Sequence, residues 1–216
     1  MKAARCWPGL PDGAPRVLVE EAFLERLARF GERSAMAGRE AGAFILGKAE
    51  KLRDGWQIAL EELQEIEGEA DAESFTFPAE AFLKAHQRWR TWSVDEIAAR
   101  PGTTCVVGWC HTHPGHGVFL SPPDLEVQHR KFPLPFQIAL VVDPLAESAD
   151  RRMGLVAWVR EGTLSPHLPD GIAYFPTAAP RQADQKRPFA VAGQHWNWGI
   201  LPLLAAAGWW LWHHGF

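Results

Sequence analysis

The segment Gly108-Trp-Cys-His-Thr-His-Pro114 constrains the fold more than any other part of the chain. Thr103 to Thr112 is rich in β-formers, and side chains alternate along a strand, so His111 and His113 point to one face and Cys110 to the other. Downstream, Ser121-Pro-Pro-Asp124 has the form of a helix start, with Ser121 as the cap, Pro122 in the first turn and Asp124 three residues after the cap. A carboxylate there is held rigidly where the helix dipole favours its charged form. Two neutral imidazoles and one carboxylate are three ligands that Zn²⁺ accepts, and they leave a fourth tetrahedral position for water, as catalytic sites do. The plainer reading keeps the same residues as hydrogen-bonded strand histidines beside a capped helix. Cys110, facing away, and His116, in a Gly-flanked loop, are not expected to be ligands, although His116 would stand at the rim of the cleft.

Periodicity on either side predicts a mixed α/β domain. Leu18 to Phe30 reads as an amphipathic helix with Phe23, Leu27 and Phe30 on one face. Ala43 to Gly47 and Trp56 to Leu63 read as two strands joined by a polar turn, and Ser74 to Phe77 as a strand leading into a helix over Pro78 to Trp92. Pro122 to Lys131 reads as a helix, with buried strands at Phe136 to Val142 and Gly154 to Val159. The expected organisation is an N-terminal arm over 1–17, one catalytic domain over 18–176, a linker over 177–195 and a Trp-rich hydrophobic tail over 196–216.

A formal net charge of -4 supplies no basic field for a phosphate backbone, so nucleic acid is not an expected partner. Three cysteines without a C-x-x-C pair are no disulfide framework, and the N-terminus offers Pro8, Gly9, Pro11 and Gly13 where a secretion signal needs an apolar run. Both point to the cytoplasm. The tail leaves two readings open. Ile200 to Trp212 would span about 20 Å as a helix, and a start at Trp196 extends it to about 25 Å, against roughly 30 Å of hydrocarbon. It is either a short membrane anchor with tryptophans at both ends or, with Pro202 and Gly208 interrupting it, a segment that packs on protein.

The pattern Glu40, then His111-Thr112-His113-Pro114, six residues, Ser121, two residues and Asp124 resembles the motif of the JAMM (JAB/MPN) metalloproteases. The resemblance runs from about Leu18 to Pro176 and includes Ala41 to Gly47 and Ala139-Leu-Val-Val-Asp-Pro144; Thr112 stands where serine is commoner, and Ala41-Gly42 replaces a more typical run. It implies a curved mixed sheet of JAMM/cytidine-deaminase-like form flanked by helices. It also implies one zinc per chain on His111, His113 and Asp124, Glu40 as general base, and Ser121 as donor to the oxyanion. Taken alone, Glu40 would serve equally as a surface ion pair with Arg39, and Ser121 as a cap. The implied activity is cleavage after the C-terminal tail of a ubiquitin-like protein, in deconjugation or precursor processing, including bacterial systems used against phage. The family also implies two alternatives, trimming of sulfur-carrier proteins and a silent MPN-type scaffold; scaffolds usually lack one of the five residues.

Overall fold

Three runs of unbroken burial, at Gly42–Gly47, Cys105–Thr112 and Ile138–Val142, require a sheet whose central strands are covered on both faces. A computed structural model of the chain describes residues 4–89, 93–148, 151–160, 163–164 and 173–174. All of them lie within one unit, Met1–Pro180, and a second unit, Arg181–Phe216, lies outside them.

In chain order the elements are β1 (Arg5–Cys6), β2 (Arg16–Val19), α1 (Glu21–Ala37), β3 (Gly42–Leu52), β4 (Gly55–Ile66), β5 (Glu69–Ala70), β6 (Phe75–Thr76), α2 (Ala79–Trp89) and α3 (Val94–Ala99). They continue with β7 (Thr104–Thr112), α4 (Pro122–Lys131), β8 (Ile138–Val142), β9 (Met153–Arg160), β10 (Thr163–Leu164) and β11 (Ala173–Tyr174). The main sheet runs β1-β2-β4-β3-β7-β8-β9-β10, with β11 also pairing with β9. It is mixed: β2 pairs parallel with β4 and β7 with β8, and the other neighbours are antiparallel. Register shifts opposite Ile45/Leu46 and Leu46/Gly47 leave Val107 of β7 and Glu61 of β4 as extra residues, bulges of the kind that curve a sheet.

Alternation then divides the core. On one face Phe23, Leu27 and Phe30 of α1 meet Ile45, Ile58, Val107 and Leu140. On the other, Phe44, Trp109, Ala139 and Val141 meet Ala85 of α2 and Phe132 after α4. The expected α/β domain with a curved mixed sheet between helices is therefore what forms.

Several boundaries differ from expectation. Leu18 lies in β2, because Val17 and Val19 are buried in parallel pairing with β4, so α1 begins at Glu21. It then runs past Phe30, through the buried Gly31 and Ser34, to Ala37. The strand expected at Ser74–Phe77 shrinks to β6, which pairs with β5 in a separate two-stranded sheet. The helix expected over Pro78–Trp92 is α2, ending at Trp89, and 90–92 fall outside the described residues. The short α3, capped by Ser93 accepting from the Glu96 amide at 3.1 Å, has too few residues to show periodicity. Residues read as an N-terminal arm contribute β1 and a Trp7 that is 2% exposed. The linker over 177–195 and the tail over 196–216 lie outside the described residues. Among the described residues, no helix is long and apolar enough to cross a membrane.

Candidate metal centre

Topology brings the distant residues to one end of the sheet. β7 and β8 are parallel neighbours joined through α4, so the N-terminus of α4 returns to the carboxyl end of β7. That places Asp124 beside the two histidines. β3 runs antiparallel to β7 with Gly42 opposite His111, which carries Glu40, two residues before Gly42, to the same end.

Four side chains converge there. His111 Nε2 lies 2.7 Å from His113 Nε2 and 3.3 Å from Asp124 Oδ2, and His113 Nε2 lies 3.7 Å from Asp124 Oδ2 and 3.7 Å from Glu40 Oε1. Ligands on a tetrahedral zinc at bond lengths of about 2.0–2.1 Å stand roughly 3.3 Å apart, and the three distances within the His111, His113 and Asp124 set bracket that value. These three residues make a group able to hold a metal ion. The donor chemistry fits as well: two ring nitrogens and a carboxylate oxygen turned toward one point are a donor set that a cation between them would satisfy. Glu40 is 5% exposed and faces His113, so it is no surface partner of Arg39.

Local structure fixes each group. Ser121 gives both its N–H (2.8 Å) and its hydroxyl (2.6 Å) to Asp124 Oδ2, while its Oγ accepts the Asp124 N–H at 3.4 Å, a reciprocal capping box with Pro122 opening the helix. The cap reading of Ser121 is thus realised. Thr112, between the histidines and on the opposite face, accepts the Ala41 N–H on Oγ1 at 2.9 Å and hydrogen-bonds the Ser34 hydroxyl, tying the chain beside Glu40 to the histidine strand. Either serine or threonine supplies that hydroxyl, which accounts for threonine at this position. Trp109 stacks on the His111 ring at 4.8 Å, and the half-exposed Phe119 lies 4.7 Å from the ring of His113.

The electrostatics follow from burial and crowding. Burial pushes the Glu40 carboxyl up to about 7; the His113 charge pulls it down, and Asp124, Asp71 and Glu73 push it up. Burial holds His111 below the usual imidazole value against the pull of Asp124. Burial opposes protonation of His113 too, but the Asp124 hydrogen bond, the Glu40 charge and the Gly117 carbonyl together raise it. Asp124 stays far below the ordinary carboxylate range, because hydrogen bonds from His111, His113 and Ser121 overcome the cost of its burial.

Cys110 packs into the opposite core, where burial drives its thiol well up, and His116 Nε2 meets the Ala72 carbonyl at 3.1 Å. Neither joins the cluster. Two supporting residues went unrecognised in the sequence. Gln128 is fully buried one turn beyond Asp124, and Asp143, just after β8, is 3% exposed. A lone amide on the core side of α4, and a carboxylate ending an apolar strand, were the available signals.

The family described as prokaryotic homologs of the JAB domain matches residues 20–158, more than half of the chain. Over 53 residues the chain is 45% identical to COP9 signalosome complex subunit 5 of Saccharomyces cerevisiae (strain ATCC 204508 / S288c), covering 23% of this chain and 12% of that protein. Over 42 residues it is 50% identical to COP9 signalosome complex subunit 5 of Caenorhabditis elegans, covering 18% and 11%. The matched stretches thus span about a tenth of those relatives' length. With five motif residues at one end of the sheet and a match that runs from α1 into β9, the chain belongs to the prokaryotic JAB-domain family.

Proposed function

We propose that the chain is a zinc-dependent isopeptidase or processing peptidase that cleaves after the C-terminal tail of a ubiquitin-like protein. The observation that carries this reading is a buried carboxyl, Glu40, poised near neutrality beside the grouping of His111, His113 and Asp124. When bound there, zinc would supply Lewis acidity, polarising a scissile carbonyl and lowering the pKa of water toward about 7. Glu40 takes a proton from the attacking water and hands it to the departing amine, the work for which a pKa near the operating pH is best suited. Ser121 holds Asp124 in place and, on turning its hydroxyl away, donates to the oxyanion as the carbonyl becomes tetrahedral. Glu40 also lines an open cavity of about 600 Å³ with Ser34, Arg39, Gly42, Glu65 and Phe75, which adjoins Glu40 without including His111, His113 or Asp124 in its wall.

The substrate class rests on family membership and on the short similarities to a signalosome subunit. An extended tail would bind by backbone hydrogen bonds, with small residues beside the metal. A bacterial ubiquitin-like modification system, including one directed against phage, is the setting this reading favours.

The test pairs elemental analysis with cleavage of a ubiquitin-like fusion ending in small residues. Near one zinc per chain, lost in His113→Ala and Asp124→Ala, with chelator-sensitive cleavage lost in Glu40→Gln, is the expected result. Cleavage that survives both chelation and Glu40→Gln would overturn the proposal.

A further inference from the structure

His113 can serve as a ligand through Nε2 only while its proton sits on Nδ1. Nδ1 lies 3.1 Å from the Gly117 carbonyl, which can only accept, so that contact selects the tautomer. Gly117 in turn is held by Asp143, whose carboxylate bonds backbone N–H groups of the loop. Asp143 accepts the Gly115 N–H (2.8 Å) and the Leu145 N–H (2.9 Å) on Oδ1, and the Gly117 N–H (2.9 Å) on Oδ2. Its own backbone is anchored, with its N–H donating to the Arg152 carbonyl at 2.8 Å. Gly115 and Gly117 turn at φ +85° and +89°, backbone that glycine adopts readily and other residues rarely, and this turn aims both N–H groups at the Asp143 carboxylate.

We propose that Asp143 is a positioning residue for the metal: through the Gly117 carbonyl it fixes the tautomer and aim of His113. This inference rests on the metal-centre reading above. The carboxylate matters because it offers acceptors alone to three N–H donors, whereas an amide would turn its own N–H₂ against at least one of them. Outer partners of ligating histidines typically change metal affinity about 10–100-fold, and a buried carboxylate with three donors belongs in that range.

The experiment uses the full chain stripped of metal. Zinc affinity is measured against a chromophoric chelator for wild type and Asp143→Asn, and nitrogen-15 imidazole spectra at alkaline pH report the His113 tautomer in the metal-free proteins. We expect affinity in Asp143→Asn to be about 10–100-fold weaker, with loss of the Nδ1–H signature of His113. Unchanged affinity in a folded Asp143→Asn protein overturns the proposal. Should that variant fail to fold, Gly117→Ala keeps all three donors while straining the turn, and the same losses are required of it. A wild type that binds no zinc would overturn the metal-centre reading instead, and the tautomer spectra would then decide the role of Asp143 alone.

Discussion

Trp109 donates its indole N–H to Gln128 Oε1 across 2.6 Å, and this bond joins the strand that carries His111 to the helix that carries Asp124. Gln128 uses its other end as well, donating to the carbonyls of Phe132 at 3.2 Å and Gln137 at 3.3 Å. All of these groups are buried, and replacing the amide strands the Trp109 donor and the Gln137 carbonyl, while the Phe132 carbonyl keeps the Trp158 indole N–H at 3.0 Å. Gln128→Leu is expected to lower the stability of the metal-free protein by about 2–4 kcal/mol and to weaken zinc binding, since Trp109 also stacks on His111. Urea unfolding read beside a zinc titration checks both; a folded variant with unchanged stability would refute the coupling.

Thr112 offers a sharper substitution pair. Thr112→Val keeps the shape and removes the acceptor for the Ala41 N–H, at an expected cost of about 1–3 kcal/mol, whereas Thr112→Ser keeps the hydroxyl and should cost less than about 1 kcal/mol. Because the lost bond anchors the chain beside Glu40, turnover should fall in the valine variant while zinc content stays at the wild-type level. Equal behaviour of valine and serine would argue that the hydroxyl does nothing for Glu40.

How much of this was legible in the sequence depended on the range of the interaction. The histidine pair and the Ser121–Asp124 cap are local patterns that strand alternation and capping make legible, while the parallel pairing of β7 with β8 through α4 brings the two together. The central strands were visible as apolar runs, although β3 and β4 extend beyond their apolar cores because pairing with each other keeps their polar ends extended. Glu40 was selected by resemblance alone, since its position depends on the antiparallel register of β3 on β7, which no local signal encodes. Gln128 and Asp143 were missed for the same reason: their partners are Trp109 in β7 and the loop after it. The hairpin of β5 and β6 is fixed by contacts with residues 40 and 116, and its own two-residue strands carry almost no periodicity.

The raised Glu40 pKa makes a prediction with a definite sign. Burial lifts it from 4.5 to about 7, so ionising this group opposes folding, and the opposition develops as pH rises from about 4.5 to about 7 and is complete above that. The shift sets a ceiling of about 3 kcal/mol, which access to the adjoining cavity reduces. Glu40→Gln should therefore leave the metal-free protein unchanged at pH 4 and stabilise it by about 1–2 kcal/mol at pH 8, while cutting turnover about 100–10,000-fold. Chemical denaturation at the two pH values checks the sign; a variant less stable at pH 8 would mean that the carboxylate is held by partners stronger than its desolvation.

Zinc should act as a folding ligand. At free zinc of about 100 times Kd, binding adds about 2.7 kcal/mol, which for a domain of this size raises Tm by roughly 5–10 °C. Asp124→Asn keeps the size of the side chain and a cap acceptor but removes an anionic ligand, so its Tm should hardly respond to zinc. Differential scanning calorimetry with and without a chelator makes the comparison, and a full shift in Asp124→Asn would exclude Asp124 as a ligand.

The last expectation concerns the hairpin beside Glu40. The hairpin of β5 and β6 is held against the site at three points: the Glu40 N–H donates to the Asp71 carbonyl at 2.7 Å, His116 reaches the Ala72 carbonyl, and the Phe75 ring sits on Gly42. Gly42 is bare for that reason, since a Cβ there would stand 2.1 Å from the Phe75 ring. Gly42→Ala must displace the ring and with it the hairpin, at an expected cost of about 1–3 kcal/mol. Hydrogen exchange at the Glu40 amide should then accelerate while amides in β7 and β8 keep their protection, and turnover should fall without loss of zinc, because His111, His113 and Asp124 lie on other elements. Unaltered exchange at Glu40 would show that the ring moves alone and that the hairpin is held by its backbone contacts.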